Sequence, residues 1–222
     1  MNVFDIIGPI MVGPSSSHTA GAVKIGYLAN KLMGEPIRSA RIYLHGSFLT
    51  TGKGHGTDRA LIAGLLGMKP DDIRIPDSFA LAQKAGLVFS FDAIELRDAH
   101  PNSVKLNLTS ASGRELEIMA ASVGGGNIKI FQIDGLDANF GGDLPTLIVH
   151  NQDRPGLVTE VTAMLSKEAV NIATMQLYRS RRGGDAVMVL ECDQEISKAS
   201  IAGLQSLDGI RKVTYLSLEE SA

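Results

Sequence analysis

One cysteine, no tryptophan and no surplus of positive charge stand out first in this chain of 222 residues. Cys192 has no partner within the chain, which excludes an internal disulfide. It equally excludes an iron–sulfur or zinc centre built from several thiolates of this chain alone. Lys and Arg number 21 against 24 Asp and Glu, a formal net charge of −3, which argues against a general nucleic-acid binder. No apolar run approaches the ~18 residues that a membrane-spanning helix needs. The apolar start Met1–Gly13 carries Asp5, lacks a basic leader and runs into a Gly-Pro-Ser segment, so it does not read as a secretory signal. These absences lead to the expectation of a soluble, cytoplasmic protein with no membrane and no nucleic-acid partner.

What is present falls into two parts. From Asp134 to Thr146, Asp, Gly, Asn and Pro crowd together and no apolar period survives, which reads as a linker. The boundary is placed at Gly142, giving domains 1–142 and 143–222. In the second, Thr146–His150 reads as a strand. Pro155 suits a first helical turn, with Leu157, Val158, Val161, Met164 and Leu165 following at helical spacing. Asn171–Arg181 and Ala186–Cys192 read as strands around a Gly183-Gly184 turn. Ser197 is a candidate N-cap for a helix carrying Ile201, Leu204 and Leu207, and Val213–Leu218 a final strand. The order βαββαβ is ferredoxin-like. The first domain predicts helices over His18–Met33 (capped by Ser16 or Ser17), Thr57–Leu66 and Ser78–Lys84. It predicts strands over Arg41–His45, Val88–Leu96, Ser103–Ser110, Glu115–Ser122 and Ile128–Ile133. Small residues Ala20, Gly21, Ala22 and Gly26 leave room for a close neighbour on the first helix. The sum is an α+β fold with a mixed, largely antiparallel sheet in the N-terminal domain.

Three polar clusters are candidates for chemistry. Gly13-Pro14-Ser15-Ser16-Ser17-His18-Thr19 opens a helix with hydroxyls beside unsatisfied N–H groups, which suits a carboxylate or phosphate. A helix cap with solvated neighbours is its other reading, since one cap needs one hydroxyl. Gly52-Lys53-Gly54-His55-Gly56-Thr57-Asp58 places His55 between glycines, little shielded and able to act as a base near neutral pH. It is not a Walker A loop, because five residues rather than four separate Gly46 from Gly52 and Gly54 follows Lys53. A turn closed by Thr57 or Asp58 is the plainer alternative. His100-Pro101-Asn102-Ser103 precedes a strand and reads locally as a turn. In the second domain, Asn151-Gln152-Asp153-Arg154-Pro155-Gly156 links strand to helix, and Cys192 reads as a small buried hydrophobe.

In this order and company, Gly13–Thr19, Thr51–Asp58 and His100–Asn102 resemble the β-subunit of bacterial iron–sulfur-dependent L-serine dehydratase, over essentially the whole chain. Residues 145–218 resemble an ACT domain, a small module used for amino-acid sensing. The N-terminal part is also similar to the allosteric substrate-binding domain of some phosphoglycerate dehydrogenases. The resemblance implies conversion of L-serine to pyruvate and ammonia. It implies a 4Fe-4S cluster ligated by a separate α-subunit, no metal ligands in this chain, and an active site shared in an α/β heteromer. An open iron of the cluster would bind the β-hydroxyl as a Lewis acid. His55 is then the candidate for removing the α-proton, with His18 orienting substrate or serving as the alternative base. Ser15, Ser16, Ser17 and Thr19 would hold the carboxylate, and Lys53, Asp58, His100 and Asn102 are further substrate-binding candidates. Asp153, Arg154 and Gly156 are candidates for binding an amino-acid effector, and the ACT domain is expected to self-associate through its sheet edges. The other reading is a regulatory protein that binds serine without catalysis.

Overall fold

A computed structural model describes residues 10–217. The expectations for Met1–Pro9 and for Leu218 as the end of the last strand lie outside the described residues. The contacts divide the chain into two units, 1–135 and 136–222, ahead of the expected Gly142. Leu136–Phe140, read as linker from its Asp and Asn, is a strand with Ala138 and Phe140 buried.

The first unit is built on alternation. Strands β1 (Ile37–Leu44), β3 (Ser103–Ser110) and β4 (Glu115–Gly124) bury Ala40, Ile42, Leu44, Val104, Leu106, Leu108, Leu116, Ile118 and Ala120. Arg41, Tyr43, Lys105, Asn107, Glu115 and Glu117 occupy the intervening positions, as a sheet with one packed face requires. With β2 (Val88–Ala93) and β5 (Asn127–Ile133) the strands that lie within this unit follow the order β2-β1-β3-β4-β5. Only β1 and β2 run parallel; the remaining pairs are antiparallel. The registers Ile42↔Leu106 and Leu106↔Ile118 align the buried rows across the three central strands.

Helices α1 (Gly21–Met33) and α4 (Thr57–Leu65) cross at paired glycines. A Cβ on Gly26 would lie 2.3 Å from the Leu61 carbonyl oxygen, and one on Gly64 would lie 2.1 Å from that of Val23. The small residues of α1 thus admit α4 at backbone distance. This brings the segment before α1 beside the segment before α4, and those segments hold the first two polar clusters. Between β1 and α4, the glycine-rich segment is helical rather than an open loop: α2 (Gly46–Thr50) and α3 (Gly52–His55) follow one another, joined at Thr51. Helix α5 (Ser78–Ala85) leads into β2.

The second unit begins with β6 (Leu136–Phe140) and continues β7 (Thr146–Gln152), α6 (Leu157–Lys167), β8 (Ile172–Arg179), β9 (Asp185–Cys192), α7 (Lys198–Gln205) and β10 (Ile210–Leu216). The sheet order β10-β7-β9-β8 is the ferredoxin-like arrangement, antiparallel throughout. Leu147, Val149, Met188 and Leu190 pack with Leu157, Val161, Leu165 and Leu204 of the two helices, and Cys192 belongs to the same core. Ser197 caps α7 by accepting the Ser200 N–H. Pro155 lies ahead of α6 rather than in its first turn, because Gly156, at φ +95°, is the cap residue and the helix starts at Leu157. No helix of the described residues is long and apolar enough to cross a membrane.

Candidate active site

The start of α1 positions the first cluster. Ser15, in extended backbone, is the cap in place of Ser16 or Ser17, and its Oγ accepts the His18 N–H at 3.1 Å. Ser16–Ala20 then winds one π-helical turn before the regular helix begins. Such turns often accompany functional sites. Of the four hydroxyls expected to face a ligand, two serve the fold: Ser15 caps, and Thr19, almost wholly buried, donates to the His55 carbonyl at 3.1 Å. The Ser16 and Ser17 hydroxyls, half-buried, make no hydrogen bond among the described residues. They remain the groups of this cluster that can take a ligand.

His18 reaches across to α2 and the α2–α3 joint. Its Nε2 lies 3.0 Å from Ser47 Oγ and 3.1 Å from Thr51 Oγ1, and its Nδ1 lies 3.5 Å from Ser15 Oγ. The edge of the ring meets Phe48, at 5.5 Å between centroids. Thr57 Oγ1 donates to the His18 carbonyl at 2.9 Å, so the start of α4 clamps the same turn. Burial pushes the His18 pKa below its ordinary value. The charge of His55 adds to that, and a hydrogen bond with Ser47 opposes it.

His55 stands with its ring centroid 4.9 Å from that of His18. Its Nδ1 is 3.0 Å from the Thr51 carbonyl oxygen. A carbonyl only accepts, so Nδ1 carries the hydrogen and a neutral His55 has its lone pair on Nε2. That Nε2 has no hydrogen-bond partner among the described residues. The ring is therefore held at one nitrogen and open at the other, the arrangement of a general base.

The remaining candidates are not joined to this pair through their side chains. Lys53 is exposed, and Asp58 Oδ1 accepts the Arg59 N–H at 2.8 Å. His100 Nδ1 accepts the Asn102 N–H of its own turn at 3.1 Å, as the local reading predicts. The turn reaches the site through its backbone, where the Pro101 carbonyl accepts the Ser47 N–H at 2.7 Å. Ser47 and Thr51 were not expected from the sequence. The signal was present in the spacing of Ser47, Thr51 and His55, each four residues from the next, which places them on one helical face.

In the second unit the charges of the 153–156 loop are taken up within the chain. Asp153 Oδ2 accepts from Arg179 Nη1 at 3.0 Å and from the Gly183 N–H at 2.9 Å. These contacts, the Gly183 N–H first, hold its carboxyl below the usual range. Arg154 pairs with the Asp208 carboxylate at 3.0 Å and also donates to the Asp208 carbonyl. Gly156 caps α6. No group of three or more His, Cys, Asp or Glu among the described residues has a metal-binding arrangement. Cys192 is fully buried in β9, and burial pushes its thiol up to about 11, so it is not poised to ligate a cluster.

Comparison with known proteins agrees with both halves of this layout. Residues 2–87 match the family described as serine dehydratase beta chain, and residues 145–208 match the ACT domain. The L-serine dehydratase beta chain of Peptoniphilus asaccharolyticus is 39% identical over 92% of this chain and 94% of its own length. The chain belongs to the L-serine dehydratase beta-chain family. A second relative, the probable L-serine dehydratase beta chain of Bacillus subtilis, is 38% identical over 97% of both chains. The D-3-phosphoglycerate dehydrogenase of Bacillus subtilis is 25% identical over 89% of this chain but 37% of its own length. The beta-chain match covers both histidines, Ser47 and Thr51, and the ACT match covers the ferredoxin-like unit from β7 through α7, ending before β10.

Proposed function

We propose that this chain is the β-subunit of a heteromeric L-serine dehydratase, converting L-serine to pyruvate and ammonia together with a cysteine-bearing α-subunit. The observation that carries the reading is the state of His55: one ring nitrogen tied to a backbone carbonyl, the other open, with its ring beside that of His18 at the start of the first helix. His55 Nε2 takes the α-proton of serine as the β-hydroxyl leaves. The resulting enamine tautomerises and is hydrolysed to pyruvate and ammonia, returning the water lost. Ser16 and Ser17 donate to the substrate carboxylate, helped by the positive end of the helix. His18 orients this arrangement from behind.

One buried cysteine cannot hold an iron–sulfur cluster, so a 4Fe-4S cluster belongs to the α-subunit in this reading. Bound there, it supplies a Lewis acid for the β-hydroxyl. A lone unpaired cysteine accords with a cytoplasmic setting. Self-association through the ACT unit is part of the same proposal. It is supported by Met175 and Leu177, exposed apolar side chains on the edge strand β8. Asp153, Arg154 and Gly156 remain the proposed effector-binding residues: the Asp153 carboxylate and the Arg154 Nη atoms are paired within the chain, while Arg154 Nε is buried without a partner.

The test is exchange of the serine α-proton with solvent deuterium in the heteromer. His55→Ala is expected to slow exchange and turnover by roughly 10²–10⁴-fold while the cluster's absorbance is unchanged. Exchange at the wild-type rate would place the base elsewhere.

A further inference from the structure

We infer that Thr51 is a positioning residue that sets the hydrogen on both imidazoles, through a different atom for each, and so decides which of the two can act as base. The base role rests on the proposed function; the hydrogen placement does not.

Thr51 joins α2 to α3 and is itself exposed, so its contacts are not a by-product of core packing. Its carbonyl faces His55 Nδ1 at 3.0 Å, which fixes the hydrogen on His55 Nδ1 and leaves Nε2 basic. Its hydroxyl lies 2.9 Å from the Ser47 carbonyl, one helical turn back. A carbonyl has no hydrogen to give, so the Thr51 O–H points there and the lone pairs of Oγ1 remain for other donors. His18 Nε2, 3.1 Å away, meets those lone pairs and is the natural donor to them. Ser47 Oγ, 3.0 Å from the same nitrogen and 3.1 Å from Thr51 Oγ1, closes the triangle. The only lone pair left to a neutral His18 is then on Nδ1, facing Ser15 Oγ, whose own lone pair takes the His18 N–H and whose hydrogen is free to be donated.

The result is an opposed pair. His18 is Nε2–H with both nitrogens engaged, whereas His55 is Nδ1–H with a free Nε2. The rings stand 4.9 Å apart between centroids, and one threonine gives them opposite tautomers.

The experiment is nitrogen-15 NMR of the imidazoles in the full chain, with steady-state kinetics of the heteromer alongside. The wild-type spectrum near neutral pH should show Nε2–H for His18 and Nδ1–H for His55. Thr51→Val keeps the backbone carbonyl and removes the hydroxyl. It should shift His18 away from Nε2–H, leave His55 unchanged and lower kcat about tenfold. Thr51→Ser should restore both the His18 signal and kcat. A wild-type His18 in the Nδ1–H form overturns the inference without any variant being made. So does a Thr51→Val spectrum identical to wild type, or one in which both histidines shift and Thr51→Ser does not restore them. If the chain had no part in serine dehydration, the NMR pattern would hold while no variant changed turnover, which separates the two failures.

Discussion

The imidazoles of His18 and His55 stand side by side, tilted 35° to one another at 4.9 Å between centroids, and neither sits on the helix that carries the other. The pairing depends on α1 and α4 approaching at Gly26 and Gly64, so a packing feature of the core decides the spacing of two titratable rings on the surface.

One consequence is pH-dependent stability. The folded state holds the His18 pKa below its ordinary value, chiefly by burial. The unfolded chain takes up a proton at about pH 6.5, and the folded chain only at lower pH. Stability is therefore complete above about pH 6.5 and falls as the pH drops toward the folded value, because the unfolded state binds more protons there. The urea midpoint should be lower at about pH 5.5 than at about pH 7.5, and His18→Gln should lessen that difference. An unchanged difference in the variant would remove His18 as its source.

Loss of the free hydroxyls should act on substrate binding. In the heteromer, Ser16→Ala with Ser17→Ala is expected to raise the KM for L-serine roughly 10–100-fold, the scale of a hydrogen bond to a charged group, and to change kcat much less. A KM at the wild-type level would show that the carboxylate is held elsewhere.

The glycine crossing makes a stability prediction of its own. Gly26→Ala would drive a methyl group into the Leu61 carbonyl and the Leu65 N–H, at 2.3 and 2.9 Å, and should cost about 1–3 kcal/mol in urea unfolding. Gly54→Ala meets nothing within 4 Å and should be neutral or slightly stabilising. Equal effects for the two would contradict the close approach.

Much of this was legible in advance because it rests on local patterns. The alternation in β3 and β4, the Gly183-Gly184 hairpin and the Ser197 cap are written in adjacent residues. The small residues of α1 announced a close neighbour, and α4 is that neighbour. What escaped depends on tertiary partners. β6 is strand because Ala138 and Phe140 find burial, although the segment's Asp and Asn favour a turn. The glycines around Lys53 concealed two short helices, and with them the shared face of Ser47, Thr51 and His55. Ser15 and Thr19 looked equivalent to Ser16 and Ser17; only hydrogen bonding, one to the backbone of its own turn and one to the His55 carbonyl, separates fold from site.

The central claim is that this chain completes an active site whose metal centre another subunit carries. Its most direct test is pyruvate formation from L-serine under anaerobic conditions, with this chain, the cysteine-bearing α-subunit, and both together. Turnover should appear only in the mixture and disappear with His55→Ala. Dehydration by the α-subunit alone at the rate of the mixture would contradict the account.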